Sequence, residues 1–133
     1  MRWHKLPPLT KNHRVDLLNV WKMKDEDGLP DKQEFHRLAK LVCRQIAKDL
    51  KLEKGTFDIR TNMGGAAVGG ETTLHTDRFY LQFCAEGFLE ILYRACNGRR
   101  HFVGGTNQWT TYQRMVDDYP GFLSCLPQSV TLV

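Results

Sequence analysis

The longest regular pattern of apolar and polar positions starts after Pro30 and predicts an amphipathic helix. Asp31 followed by Glu34 is typical of a helix N-terminus, and Gly55 is expected to end the helix. The apolar residues recur at steps of three and four, in the order Phe35, Leu38, Ala39, Val42, Ile46 and Leu50. A solvated surface is favoured over a nucleic-acid contact for the polar residues of the other side, which are His36, Arg37, Lys40 and Arg44.

The segment before this helix is less regular. Residues 14–23 are apolar with a mixed period, which predicts either a short helix or a short strand. Residues 1–12 contain two consecutive prolines and little periodicity, and we interpret them as an arm on the domain.

From Thr56 onward apolar and polar positions alternate, which predicts β-strands. A first strand is expected over 57–63 and a second strand region over 72–84. The glycine-rich run 64–70 between them lacks the Gly-Lys-Ser/Thr ending of a P-loop, so a hairpin turn or loop is favoured over a phosphate-binding loop. In the second region one face carries Phe79, Leu81 and Phe83, and the other face carries Tyr80, Gln82 and Cys84.

A further strand is expected over 89–96, and the Asn-Gly dipeptide at 97–98 predicts a two-residue turn into a strand over 99–103. A turn of this length fixes the register of the two strands. In that register Tyr93 lies opposite Phe102, and this aromatic pair is expected to point into the core.

The same register gathers cationic side chains on the opposite surface, where Arg94, Arg99 and His101 would lie together. Arginine binds phosphate through paired hydrogen bonds, so we expect these residues, with Arg78, to bind an anion or nucleic acid. The alternative is a structural ladder in which the arginines pair with Glu90 on the same face.

The last element is predicted to be a helix that begins at 106 or 107 and ends at the Pro-Gly dipeptide 120–121. One face of it would carry Trp109, Tyr112, Val116 and Tyr119. We interpret Trp109 and Tyr112 as core residues and not as a base-stacking surface. Residues 130–133 are a candidate edge strand.

These elements together predict an α+β fold. An antiparallel sheet of three to five strands would have an N-terminal amphipathic helix and a C-terminal helix packed on one face. The 133 residues correspond to a single domain, 1–133, which is long enough to bury its own core.

Charge and cysteine content narrow the range of partners. The net charge is +4, all nine lysines lie at or before Lys54, and the six cations after it are all arginines. The four cysteines form no C-x-x-C pair, which argues against a zinc site and favours buried, reduced thiols. No apolar run approaches the ~20 residues of a membrane helix. We therefore expect a cytoplasmic protein with no membrane partner.

A second candidate for chemistry is the triplet His75-Thr76-Asp77. Histidine titrates near neutral pH and suits acid–base work on a phosphodiester. A small metal-independent ribonuclease would use His75, Arg78 and His101 as catalytic residues. Two histidines and Asp77 also match the ligands of non-haem iron, but this spacing is a weak indication and we expect no metal and no cofactor.

The leading functional hypothesis is a small basic binding module whose arginine-rich sheet face contacts an anionic partner, either nucleic acid (RNA above all) or a nucleotide. The ribonuclease is the alternative from the enzyme class, and the order of a helix followed by an antiparallel sheet resembles small ribonucleases and RelE-type toxins in element order alone. A protein-interaction adaptor that uses the apolar C-terminal segment is the third hypothesis.

Overall fold

The computed structural model describes residues 6–26, 28–65, 68–86, 90–98 and 105–126. Within these residues the chain forms four helices and a five-stranded sheet. Their bounds are α1 His13–Lys22, α2 Lys32–Asp49, β1 Phe57–Asn62, β2 Glu71–Thr76, β3 Phe79–Cys84, β4 Ile91–Ala95, β5 Gln108–Thr110, α3 Tyr112–Asp117 and α4 Tyr119–Cys125.

The helices begin at polar side chains that accept hydrogen bonds from the first backbone amides. Asp31 Oδ1 accepts from the amide of Glu34 at 3.0 Å, so the predicted start of α2 is confirmed, although the helix ends at Asp49 and not beside Gly55. Asn12 caps α1 in the same way, and the ambiguous first segment is a helix.

The strands follow one another across the sheet in the order β1-β2-β3-β4-β5, and every neighbouring pair is antiparallel. The glycine-rich run is thus the connection between the paired strands β1 and β2, and its residues 66–67 lie outside the described part. One face of the sheet joins the helices in a single apolar core. Its members include Leu17, Leu38, Val42, Ile46, Leu74, Leu81, Phe83, Ile91, Tyr112 and Phe122. The α+β fold, with helices on one face of an antiparallel sheet, is confirmed.

Tyr112 attaches the C-terminal helices to this core face. Its buried side chain donates from Oη to the Cys84 carbonyl at 2.7 Å, and its ring lies 6.2 Å from that of Phe83 and 5.0 Å from that of Trp21. Glu90 Oε1 accepts a hydrogen bond from the Tyr112 amide at 3.1 Å. Glu90 therefore interacts with the start of α3. The alternative in which the arginines pair with Glu90 stays a prediction, because Arg99 lies outside the described residues.

The predicted register after β4 is wrong. A two-residue turn at 97–98 would place Phe102 opposite Tyr93, whereas the structure pairs Tyr93 with Gln108. The other edge of β4 pairs with β3. The pairing of β4 with β5 thus excludes the predicted pair of Tyr93 and Phe102. Residues 99–104, and with them Arg99 and His101, lie outside the described part of the chain.

The C-terminal segment contains a strand and two short helices in place of one helix. Trp109 lies in β5, and α3 begins only after Thr111, whose hydroxyl accepts from the amide of Arg114 at 3.0 Å. Pro120 lies in the first turn of α4, where its missing amide costs no helical hydrogen bond, so it starts a helix instead of ending one. Tyr112 is buried as expected, but Trp109 is 45% exposed, so its assignment to the core is wrong.

His36 is buried as well, with 2% exposure, although the sequence placed it on the solvated side of α2. Its ring reaches the start of β2, where Nε2 lies 2.8 Å from the Gly69 carbonyl and Nδ1 lies 2.8 Å from Thr72 Oγ1. A carbonyl only accepts, so Nε2 donates to Gly69 and Nδ1 accepts from the Thr72 hydroxyl. The neutral imidazole thus has both ring nitrogens hydrogen-bonded.

We expect Gly70→Ala to destabilise the fold more than Gly55→Ala. Both glycines have a positive φ, of +77° and +87°, so alanine at either position costs about 1–2 kcal/mol. A Cβ at Gly70 would lie 1.9 Å from the Asn62 carbonyl oxygen, whereas a Cβ at Gly55 meets no atom within 4 Å. The clash should cost about 1–3 kcal/mol more. Urea unfolding of both variants measures the difference, and equal losses would contradict the close contact at Gly70.

We also expect His36 to make the fold sensitive to acid. Burial lowers the pKa of His36 below its ordinary 6.5; Lys32 and Lys40 lower this pKa further, while the Gly69 hydrogen bond and Glu71 raise it. The unfolded chain then binds a proton at higher pH than the folded chain does, so folding stability falls as pH drops below 6.5. Urea midpoints at pH 8 and pH 5.5 should show a smaller acid loss for His36→Gln than for the unaltered protein. The exposed His13→Gln serves as control, and an undiminished acid loss in His36→Gln would exclude this role.

Candidate functional site

The second face of the sheet, opposite the core, is the place where polar and aromatic side chains meet. Strand pairing arranges these side chains in two rows that run across the sheet. We name this surface the open face. Its first row, from β1 to β4, is Asp58, His75, Tyr80 and Arg94. Its second row, from β1 to β5, is Arg60, Thr73, Gln82, Leu92 and Trp109.

Aromatic and cationic side chains contact one another along the first row. The Tyr80 ring lies edge-on to the His75 ring, with centroids 4.9 Å apart, and the guanidinium carbon of Arg94 lies 5.7 Å from the centroid of the Tyr80 ring. His75 Nε2 is 2.8 Å from the hydroxyl of Thr73, and both residues are only 6% exposed. The imidazole is therefore held by its hydrogen bond to Thr73 and is largely covered by neighbouring side chains.

A chain of hydrogen bonds along β3 orients the polar groups between the rows. The Tyr80 hydroxyl donates to Gln82 Oε1, and Gln82 Nε2 donates to Cys84 Sγ at 3.2 Å. The pKa of Tyr80 is raised to about 12, mainly by burial and also by Glu71 and Cys84, while Arg94 acts to lower it. The phenol thus keeps its proton at neutral pH and continues to donate to Gln82.

A depression of about 360 Å³ opens between the rows at the β4 side of the sheet. Its lining combines two ring systems, one aliphatic residue and three planar polar groups. Trp109 lies next to it on β5, opposite Leu92, and exposes 45% of its surface. The residues that line the depression are His75, Tyr80, Gln82, Leu92, Arg94 and Asn107.

The charges of the open face are unevenly distributed. At the β1 side, Arg60 forms an ion pair with Asp58 at 3.6 Å, and Asn62 donates to Glu71 at 3.3 Å. Among the described residues that β3, β4 and β5 contribute to the open face, Arg94 is the charged residue and there is no carboxylate. This half of the face is therefore suited to an anionic or electron-rich ligand.

The structure brings together some of the residues singled out in the sequence and separates others. His75 and Arg94 line the same depression. Arg78 lies in the turn between β2 and β3 and lines a different groove together with Asp77, Lys51 and Glu53. β2 ends at Thr76, so Asp77 lies beyond the strand that carries His75. Arg99 and His101 lie outside the described residues, and their roles stay predictions.

Sequence reasoning missed Tyr80, Gln82 and Trp109 as members of the site. Tyr80 and Gln82 alternate with the buried Phe79 and Leu81, so the period of two already placed them on the other face. Trp109 could not be found in this way, because β5 has only three residues and its pairing with β4 decides which way they point.

Metal and thiol chemistry receive little support from the described residues. These residues contain no group of three or more His, Cys, Asp or Glu side chains that could hold a metal ion. All four cysteines are free thiols; Cys43 and Cys96 are buried, whereas Cys84 and Cys125 are partly exposed.

Across the part of the chain that the structure describes, no helix has the length and apolar character needed to cross a membrane.

No protein-family model, curated protein sequence or solved structure matches this chain.

Proposed function

We propose that this protein binds single-stranded nucleic acid across the open face of its sheet. The observation that carries the proposal is the exposed Trp109 beside Arg94 on one face of the sheet. Antiparallel sheets with exposed aromatic side chains provide flat surfaces on which unpaired bases stack, while arginines contact the backbone phosphates or the bases.

The geometry favours a single strand over a duplex. Leu92 pairs with Trp109, so Arg94 is the diagonal neighbour of Trp109 on the same face, at a typical Cα separation of about 7–8 Å. This is within reach of one nucleotide whose base stacks on the indole. The bases of a duplex are already stacked on each other and do not offer a free π-face to such a surface.

Electrostatics supports the same partner. The chain carries a net charge of +4, and the Trp109 side of the open face, in its described residues, has a guanidinium and no carboxylate. Each phosphate contact releases counterions, so affinity should fall as salt rises. A cytoplasmic location with access to RNA belongs to this proposal.

A ribonuclease remains the second candidate, because His75 and Arg94 line the same depression. General acid–base catalysis needs an imidazole within hydrogen-bonding distance of the substrate. His75 is 6% exposed and its Nε2 is bonded to Thr73, which favours a structural role in the free protein. Nucleic-acid binding is therefore our first proposal, and RNA cleavage is the second.

The test is the affinity of Trp109→Ala for a fluorescent nine-nucleotide oligouridine, measured by anisotropy at several salt concentrations. Loss of one stacked base should cost about 1–3 kcal/mol. Arg94→Ala should weaken binding as well, whereas Arg44→Ala, an exposed arginine on α2, provides the matched control and should change affinity much less.

Incubation of the unaltered protein with the same oligonucleotide in EDTA separates the hypotheses. Intact RNA with salt-dependent binding supports the binding module, and cleavage that His75→Ala abolishes supports the ribonuclease. The proposal is wrong if the protein does not bind, or if Trp109→Ala and Arg44→Ala bind as tightly as the unaltered protein.

A further inference from the structure

The depression beside Trp109 has a lining that suggests which base it takes. It offers ring edges from His75 and Tyr80, an aliphatic patch from Leu92 and hydrogen-bonding groups from Arg94 and Asn107. A planar, partly apolar ligand with polar edges fits such a lining, and a nucleobase has this character. The ligand of the depression is thus expected to be one base of the bound strand.

The hydrogen-bond network beside the depression already engages several of its polar groups. Gln82 Oε1 accepts from the Tyr80 hydroxyl, and His75 Nε2 is bonded to the Thr73 hydroxyl. The Gln82 amide nitrogen is directed to Cys84 Sγ. Within this network the protein has little acceptor capacity to offer a base.

Arg94, by contrast, provides hydrogen-bond donors. A guanidinium has five N–H donors and no acceptor, and it keeps its charge at all physiological pH values. Its position near the face of the Tyr80 ring restricts its orientation, which lowers the entropy lost when it makes two parallel hydrogen bonds. The depression therefore presents donors to the base that enters it.

We infer that the depression selects a guanine base, which Arg94 recognises through its O6 and N7 atoms while Trp109 stacks on the adjoining nucleotide. This inference rests on the proposed function. Guanine is the base whose Hoogsteen edge offers two adjacent acceptors, whereas adenine pairs one acceptor with a donor that would oppose the guanidinium. Uracil and cytosine are smaller and fill less of the aromatic and aliphatic lining.

The experiment compares four nine-nucleotide RNAs in the anisotropy assay: oligouridine, and oligouridine with guanine, adenine or 7-deazaguanine at the central position. A single guanine avoids the self-association of guanine-rich strands. The guanine RNA should bind the unaltered protein at least about five-fold more tightly than the other three, since a good bidentate contact gives about 1–3 kcal/mol of discrimination. The 7-deaza base lacks the N7 acceptor and should lose most of the preference.

Two arginine variants locate the preference in the protein. Arg94→Lys keeps the charge but not the paired donors, so it should bind all four RNAs alike and still respond to salt. Arg60→Lys, on the same face but paired with Asp58, is the matched control and should keep the preference for guanine.

The outcomes separate this inference from the function on which it rests. Equal, salt-dependent binding of all four RNAs overturns guanine selection and leaves single-strand binding intact, and so does equal binding of guanine and 7-deazaguanine RNAs. Binding of none of them overturns both. The comparison of the guanine RNA with the 7-deazaguanine RNA uses the unaltered protein, so it tests guanine selection even if Arg94→Lys fails to fold.

Discussion

Antiparallel pairing along β2, β3 and β4 positions nearly every group with a proposed role. Because side chains alternate along a strand, the pairing that places Leu74 against Leu81 in the core also places His75 against Tyr80 on the open face. A shift of one residue in this register would turn the apolar set outward and the polar set into the helices. Burial of the core face thus fixes the geometry of the open face as well.

The open face is largely organised before any ligand arrives. Gln82 receives a hydrogen bond from Tyr80 and donates one to Cys84, and Thr73 engages His75. Such a network leaves few polar groups to rearrange when a ligand binds, which lowers the cost of binding. It also limits what the face can recognise, since an acceptor that is already engaged has fewer lone pairs left for the donors of a ligand.

The helices pack on the core face of the sheet and hold the strands that form the open face. Tyr112 binds the Cys84 carbonyl from the core side, so α3 holds the end of β3 while Cys84 Sγ accepts from Gln82 on the open face. His36 holds the start of β2 through Gly69 and Thr72. The end of the strand pair at which Glu71 lies opposite Cys84 is therefore attached to both α2 and α3.

The sequence alone determined the elements whose causes are local. Asp31 starts α2 because a capping carboxylate acts on amides within the next turn, and alternation placed the buried Phe79 and its neighbours on one side of β3. The α+β class followed from these patterns. Tertiary structure decided the rest, because it depends on partners distant in the chain: His36 is buried by a strand that begins 35 residues later, and the exposure of Trp109 follows from the pairing of β5 with β4. The same pairing places Gln108 and not Phe102 opposite Tyr93, and a local turn signal such as Asn-Gly carries no information about a strand that begins ten residues later.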